Sequence, residues 1–400
     1  MNKTPKLRFP EFSGEWEEDT LSKVSDVRDG THDSPRYVEE GFPFITSKNL
    51  LENGKLDFSN VTYINKDDFD NYNKRSKVDK GDILFGMIGT IGNPAIVDRE
   101  GFAIKNVALI KEKIKLKNSY LIQLLKSNII SRKFYKLNVG GTQKFIALGV
   151  IRDLLISIPA IEEQEKLASF FSLIDDKIEK QQKKVEALEE YKKGMLQKIF
   201  SREIRFKKEN EEDYPEWEKG TMREIISEDL HPIEKPNTAY WRLGIRSHGK
   251  GTFHEFITDP SQVDMATLYE VKKNGLVVNI TFAWEHAIAI TDEVDEGKLV
   301  SHRFPTYKFK NNAYYKFYKY YLLRPIFKYQ LSNASPGGAG RNRVLNKKQF
   351  LEIPTIIPTV EEQSKIARFL SKIDEKLEKE QQKLEALNQW KKGLLQQMFV

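Results

Sequence analysis

The stretch Ile158–Phe200, IPAIEEQEKLASFFSLIDDKIEKQQKKVEALEEYKKGMLQKIF, returns 199 residues later as Ile357–Phe399, IPTVEEQSKIARFLSKIDEKLEKEQQKLEALNQWKKGLLQQMF, with 25 of 43 positions identical and no gap. An internal repeat of that length says that the molecule is built as two related units. Each copy opens on Ile-Pro and then sets Glu162 and Glu163, or Glu361 and Glu362, in the first turn, where carboxylates favour the positive end of a helix dipole. Beyond that opening neither copy contains a proline, and the residues are strong helix formers. Stepping alternately by three and four from Phe171 meets Ile174, Ile178, Gln181, Val185, Leu188, Lys192, Met195 and Ile199. The same walk from Leu370 meets Ile373, Leu377, Glu380, Leu384, Leu387, Lys391, Leu394 and Met398. Such a seam, kept for about four heptads, predicts two long helices that pair as a coiled coil.

Both seams are broken at the same two places, Gln181/Glu380 and Lys192/Lys391. Antiparallel pairing that sets Lys192 opposite Glu380 and Gln181 opposite Lys391 would let the polar residues fix the register. Val185 would then face Leu387, and Leu188 would face Leu384. The alternative is that both lysines run out to solvent along their apolar stems.

At 400 residues the chain exceeds one ordinary domain, and its hydrophobic fraction of 39% with 24 Phe and 16 Tyr is enough for real cores. No apolar run reaches the ~18 residues of a membrane span, and the opening MNKTPKLRFPEF lacks the apolar stretch of a signal peptide. The absence of cysteine excludes disulfides and thiolate metal sites and fits a cytoplasmic protein. A formal net charge of +7 is compatible with an anionic partner without demanding one.

A lead-in precedes each globular segment: SGEWEEDTLSKVSDV before the first and YPEWEKGTMREII before the second, with Trp16 and Trp217 lying 201 residues apart. The organisation expected is therefore a globular domain over 1–156, a long helix over 157–203, a second globular domain over 204–354 and a second helix over 355–400. The inserts between lead-in and helix resemble each other far less than the helices do. In the first, FPFIT (42–46), GDILFGMI (81–88), PAIV (94–97) and FAIKNVALI (102–110) read as strands, 118–136 as a helix and 154–160 as an extended exit. In the second, GLVVNITFAW (275–284) and HAIAI (286–290) read as strands, 314–330 as a helix and 350–357 as the exit. Short strands mixed with helices make the fold class α+β (mixed α/β), in tandem, with two long antiparallel helices.

Enzyme signatures are missing. SPGGAGRNR (335–343) is glycine-rich without the Gly-Lys-Ser/Thr ending of a phosphate loop, and there is no GxSxG or HExxH. Six single histidines without cysteine give no metal-ligand spacing, so no metal is expected. Asn93-Pro94 lacks the aromatic ending of an adenine-methyltransferase motif and reads as a turn. Asp264 with Glu270-Val-Lys272 is a spacing that chance supplies often.

What accumulates instead is polar and basic residues in loops between strands, where recognition surfaces usually lie. These loops are 28–36, 46–49, 73–77, 89–93 and 140–144 in the first insert, and 241–251, 301–305 and 337–343 in the second. Arg, Lys, Asn, Gln, His and Ser read base edges and hold phosphates, and neighbouring glycines allow close backbone approach. The candidate contacts are Thr31, His32, Ser47, Lys48, Asn49, Arg75, Thr90, Gln143 and Lys144, then Arg242, Arg246, Ser247, His248, Lys250, His302, Arg303, Arg341, Asn342 and Arg343. Solvated turns are the bland reading of the same residues.

The two helical copies, both lead-ins and their tandem order closely resemble the specificity subunit of type I restriction-modification enzymes, over the entire chain. GTHDSPR followed by GFPFITSKNL resembles one type of target-recognition domain, and YWRLGIRSHGKGTF resembles the opening of another. The resemblance implies a non-catalytic protein whose inserts each read half of a bipartite double-stranded DNA sequence. It implies partners too: two modification subunits that carry S-adenosylmethionine, and two restriction subunits that use ATP and Mg. No cofactor is expected on this chain itself. A helix of about 38 residues would reach about 57 Å, enough to separate two modules by a duplex turn of about 34–36 Å. The competing expectation is a coiled-coil adaptor whose inserts bind protein and not DNA.

Overall fold

The computed structural model of the chain describes residues 4–137, 145–337 and 343–400. Two compact units emerge: unit 1 holds residues 1–184 with 380–400, and unit 2 holds 185–379. The long helices are continuous over Ile161–Phe200 and Val360–Met398. The unit boundary therefore falls inside both helices, where the sequence placed domain boundaries at their ends.

The repeated Glu-Glu-Gln at the start of each helix fastens the lead-in and the insert to it. In unit 1 the buried Glu163 carboxylate accepts hydrogen bonds from Arg8 Nε (2.8 Å) and Nη2 (2.7 Å) and from the Trp16 indole (3.2 Å). In unit 2 the buried Glu362 carboxylate accepts from the Trp217 indole (2.8 Å) and from Arg205 Nε (3.3 Å) and Nη2 (3.0 Å). The next residue is fully buried and bonded by its amide in both units. Gln164 accepts from the Lys117 N–H and donates to the Lys115 and Pro159 carbonyls, while Gln363 accepts from the Tyr314 N–H and donates to the Asn312 and Pro358 carbonyls. Buried polar groups persist only when so paired, which is why this tripeptide recurs unchanged.

The lead-in strand pairs antiparallel with the exit strand in each unit, Glu17–Thr20 with Leu155–Ile158 and Glu218–Thr221 with Pro354–Ile357. Each insert adds two further sheets. Unit 1 has an antiparallel sheet ordered Asp26–Asp29, Val107–Lys111, Ile83–Gly86, Gly92–Ile96, and a second ordered Tyr37–Val38, Thr62–Ile64, Phe42–Ile45, Ala103–Ile104. Unit 2 has a four-stranded sheet ordered Ile226–Glu228, Thr306–Phe309, Leu276–Val278, Ile288–Ile290, and a five-stranded one ordered Pro232–Glu234, Thr267–Glu270, Leu299–Val300, Tyr240–Ile245, Thr252–Ile257. The helix expected over 118–136 is two, Asn118–Lys126 and Asn128–Leu137, because Ser127 is extended between them. The one expected over 314–330 is Tyr315–Tyr321 and Pro325–Asn333, the proline opening the second piece as its geometry favours.

The seam residues are covered throughout: Ile174, Val185 and Ile373 are buried, and Ile178, Leu188, Met195, Leu377, Leu384, Leu387 and Leu394 are half-buried. In unit 1 the helices run antiparallel, with Phe171 against Phe399 (5.6 Å between ring centres), Lys391 paired to Asp175, and Gln181 donating to the Glu380 carbonyl (2.9 Å) and carboxylate (2.8 Å). The expected register is thus corrected. Gln181 meets Glu380 and not Lys391, and in unit 2 Lys192 meets Asp374 at 2.6 Å and not Glu380. The lysines neither pair with the seam's own polar residues nor run free to solvent. Each reaches an aspartate that lies outside the seam and is also held by the insert, Asp175 by Gln123 (3.1 Å) and Asp374 by Tyr320 (2.7 Å). Gln181, Lys184 and Lys383 together hold the Glu380 carboxyl down at about 2. The Asp175–Lys391 pair is open to a charge-swap test. Asp175→Lys should lower the urea midpoint, and the double swap with Lys391→Asp should recover part of the loss.

Candidate nucleic-acid interface

In unit 2 the loop after the central strand Leu276–Val278 is a hub for the candidate loops, whereas in unit 1 the loop after the central strand is bonded by loop 46–49, and loops 28–36 and 73–77 meet on Asp29 instead. In unit 1 that loop joins Ile83–Gly86 to Gly92–Ile96. It is tight: a Cβ on Gly86 would sit 2.2 Å from the Thr90 carbonyl oxygen, and Gly89 and Gly92 take positive φ. Gly86→Ala should therefore shift residues 87–91 and lower stability by about 1–3 kcal/mol, read from a denaturant midpoint. The Ser47 hydroxyl donates to the Ile88 carbonyl (2.5 Å), and the Ile146 N–H donates to the Met87 carbonyl (2.8 Å). Unit 2 repeats the second bond, with the Leu345 N–H donating to the Ile280 carbonyl (2.8 Å).

Of the unit 1 candidates, Lys48 and Thr90 are exposed, and Lys48 has no ion-pair partner among the described residues. His32 and Arg75 come together on the buried Asp29 carboxylate: His32 Nε2 is 3.0 Å from it, Arg75 pairs with it, and His32 Nδ1 lies 2.7 Å from Asn106 Oδ1. The Thr31 hydroxyl accepts from the Asp33 N–H and shapes the turn. Two expectations need correction. Ser47 and Asn49 are buried, and Asn49 has its amide engaged by Thr46 and by the Asp57 and Asn60 carbonyls, so both build the loop and cannot reach a ligand. Gln143 and Lys144 lie outside the described residues.

Unit 2 gathers more. Residues 280–285, which end in the short 3-10 turn Ala283–Glu285, touch three loops. The Glu285 carboxylate accepts from Ser247 Oγ (2.6 Å) and its carbonyl from the His248 N–H (2.8 Å). The Arg303 carbonyl accepts from the Ile280 N–H, and Arg343 lies over Trp284 at 5.4 Å. Arg246 stacks on Phe253 (5.2 Å) and donates to the Thr252 carbonyl, whereas Lys250 and His302 are exposed with no ion-pair partner among the described residues. Among the described residues the Arg303 guanidinium reaches the Thr281 hydroxyl alone, at 3.4 Å. Arg242 faces Glu255 across the strand pair and is neutralised by it at 2.5 Å. Arg343 donates to the Ser332 and Ser335 carbonyls at the end of the Pro325–Asn333 helix, which makes it chiefly a loop anchor. Arg341 and Asn342 lie outside the described residues.

Sequence reasoning passed over Asp29 and Asn106, which set His32 and Arg75, and over Thr281, Phe282, Trp284 and Glu285, whose apolar surroundings suggest a strand end. The Asn279-x-Thr281 pair was the available signal, since the Asn279 side chain accepts from the Thr281 N–H and turns the chain. Among the described residues no group of three or more His, Asp or Glu is placed to hold a metal ion, and no helix is long and apolar enough to cross a membrane. The arrangement is one of exposed cations and small polar groups on pinned loops, suited to an anionic polymer.

Comparisons with known proteins agree on one description. The model for the type I restriction modification DNA specificity domain matches the chain twice, over residues 13–190 and 204–389. The type I restriction enzyme MjaVIII specificity subunit of Methanocaldococcus jannaschii is 24% identical over 376 residues, covering 90% of this chain and 85% of that protein. The structure of a type I restriction-modification S subunit from M. genitalium covers 99% of both chains with a TM-score of 0.58 at 17% identity. A chain from a structure of a type I R-M system, described for its complex assembly and conformational transition, covers 95% of this one and 96% of its own length with a TM-score of 0.57 at 12% identity.

Proposed function

This chain belongs to the type I restriction-modification DNA specificity family, and from that premise we propose that each unit reads one half of a bipartite double-stranded DNA target. What carries the reading is the coincidence in each unit of a specificity-domain match with pinned polar and basic loops, held on Asp29 and on the hairpin after Ile83–Gly86 in unit 1 and on residues 280–285 in unit 2. The two inserts share the strand order of one sheet but differ in the other sheet and in loop residues while the helices repeat, as expected if the half-sites differ and the scaffold does not. The chain supplies no catalytic group in this reading. Two modification subunits bring S-adenosylmethionine and the methylation of adenine, and two restriction subunits bring ATP, Mg and cleavage. The repeated helices give the modification subunits two equivalent docking surfaces, and helix length sets the unread spacer. The complex acts in the cytoplasm, where its DNA is.

The test is single-molecule sequencing of DNA from cells that express the chain with a cognate modification subunit. The expected outcome is one motif of two defined halves around a fixed undefined spacer, with one methylated adenine on each strand. Affinity for that motif should fall steeply and linearly on a log–log plot against salt, because phosphate contacts release counterions. Failure of a folded complex to bind or methylate DNA would leave the protein-binding adaptor.

A further inference from the structure

We propose that each unit carries an apolar wedge that enters the base stack of bound duplex DNA, formed by Ile88 and Phe145 in unit 1 and by Phe282 and Val344 in unit 2. The proposal rests on the reading of the units as DNA-binding domains given above. Single exposed apolar side chains are normal on a protein surface, but here each unit has one on the loop after its central strand and a second beside the residue whose N–H is bonded to that loop. Ile88 is 37% exposed and Phe145 49%, and the two are antiparallel bridge partners. Phe282 is 46% exposed and Val344 42%, and Val344 precedes Leu345, whose N–H is bonded to Ile280. In each unit one member of the pair sits on the loop after the central strand. The other sits next to the residue whose N–H is bonded to that loop.

The loops present these side chains rigidly. Phe282 has its N–H bonded to the Asn279 carbonyl, and its own carbonyl accepts from the Glu285 and Ala287 N–H groups. Ile88 is held through the Ser47 hydroxyl. In unit 2 two cations fit a phosphate-lined partner: Arg303 and Arg343 contact the loop that carries Phe282. A protruding apolar group among cations is the arrangement by which proteins partly unstack a base step and kink the duplex.

Recurrence decides between unstacking and readout. The inserts differ in nearly every loop residue that could read a base edge, yet both keep an exposed apolar pair at this point. A feature shared by two units that read different sequences serves a step that does not depend on sequence. Opening the stack is such a step, because a base that is to be methylated must leave the helix, and a kinked step makes its exit easier.

The experiment uses the complex of the full chain with its modification subunit and a duplex carrying the methylated motif, with 2-aminopurine placed in turn along each half-site. Wild type should raise the probe's fluorescence at one step in each half. Phe282→Ala should abolish the rise only in the half read by unit 2 and weaken motif binding about 10- to 100-fold, while the circular-dichroism spectrum and the methylated motif stay unchanged. Phe145→Ala should do the same in the other half, and Phe282→Leu should restore most of the signal. A rise that persists in both alanine variants would overturn the proposal. So would a loss of discrimination at one thymine, which would mean that Phe282 reads a methyl group. If wild type does not prefer the motif over a random duplex, the DNA reading fails before the wedge is tested.

Discussion

Replacing Glu362 by alanine is expected to destabilise unit 2 by about 3–5 kcal/mol, the range for removing one partner of a buried ion pair. The carboxylate is completely buried and is the common acceptor for the Trp217 indole and the Arg205 guanidinium. Its loss leaves the indole N–H without an acceptor and removes the charge that draws Arg205 onto the helix. In a unit of this size that corresponds to a drop in unfolding midpoint of roughly 6–20 °C. Scanning calorimetry of the full chain reads it, and Glu361→Ala is the control, since its exposed neighbour should move the midpoint by no more than about 1 °C. Equal small effects from both would mean that the lead-in is held by its apolar contacts alone. The same logic gives Glu163 its place in unit 1, where Arg8 and Trp16 stand for Arg205 and Trp217.

The helices were legible because a long heptad seam and a gapless repeat have few other physical readings. The strands over 42–46, 81–88 and 94–97 were legible because they are apolar runs closed by turn residues. Their register with one another was not, and neither was the helix register. The seam suggested that its own polar residues would meet, but Lys192 and Lys391 reach Asp374 and Asp175, which the inserts also hold. A seam walk cannot see a third element competing for the same charge. The hairpin Tyr240–Ile245 with Thr252–Ile257 was missed for a related reason. Its alternation of Trp241, Arg242 and Leu243 looked like a polar loop because both faces of the strand carry large side chains. Among the site residues, exposure of Lys48, Lys250, His302 and Arg303 followed from their polarity. The burial of Ser47 and Asn49 did not, because a small polar residue serves a tight turn as readily as a ligand.

Removing three of these cations together, Arg246→Ala, Lys250→Ala and Arg303→Ala, should weaken motif binding about 100-fold or more, at about 1–3 kcal/mol for each interaction with a base or phosphate that the substitution removes. Among the described residues none of these three has an acidic partner: Lys250 has no ion pair, Arg303 has a weak contact to Thr281, and Arg246 meets a ring and a carbonyl. The log–log salt slope should become shallower by about 3 if all three touch phosphates. It should shallow by less if one of them reads a base, and then the methylated motif loses definition at one position of one half. Arg242→Ala is the informative contrast, because Glu255 already cancels its charge; its affinity and slope should match wild type. The candidate contact residues of unit 1 are untouched, so the half-site that unit 1 reads should stay fully defined in the triple variant. Loss of definition in both halves would mean that the cations act through the fold and not at the DNA. Unchanged affinity in a folded triple variant would move the unit 2 interface off this face altogether.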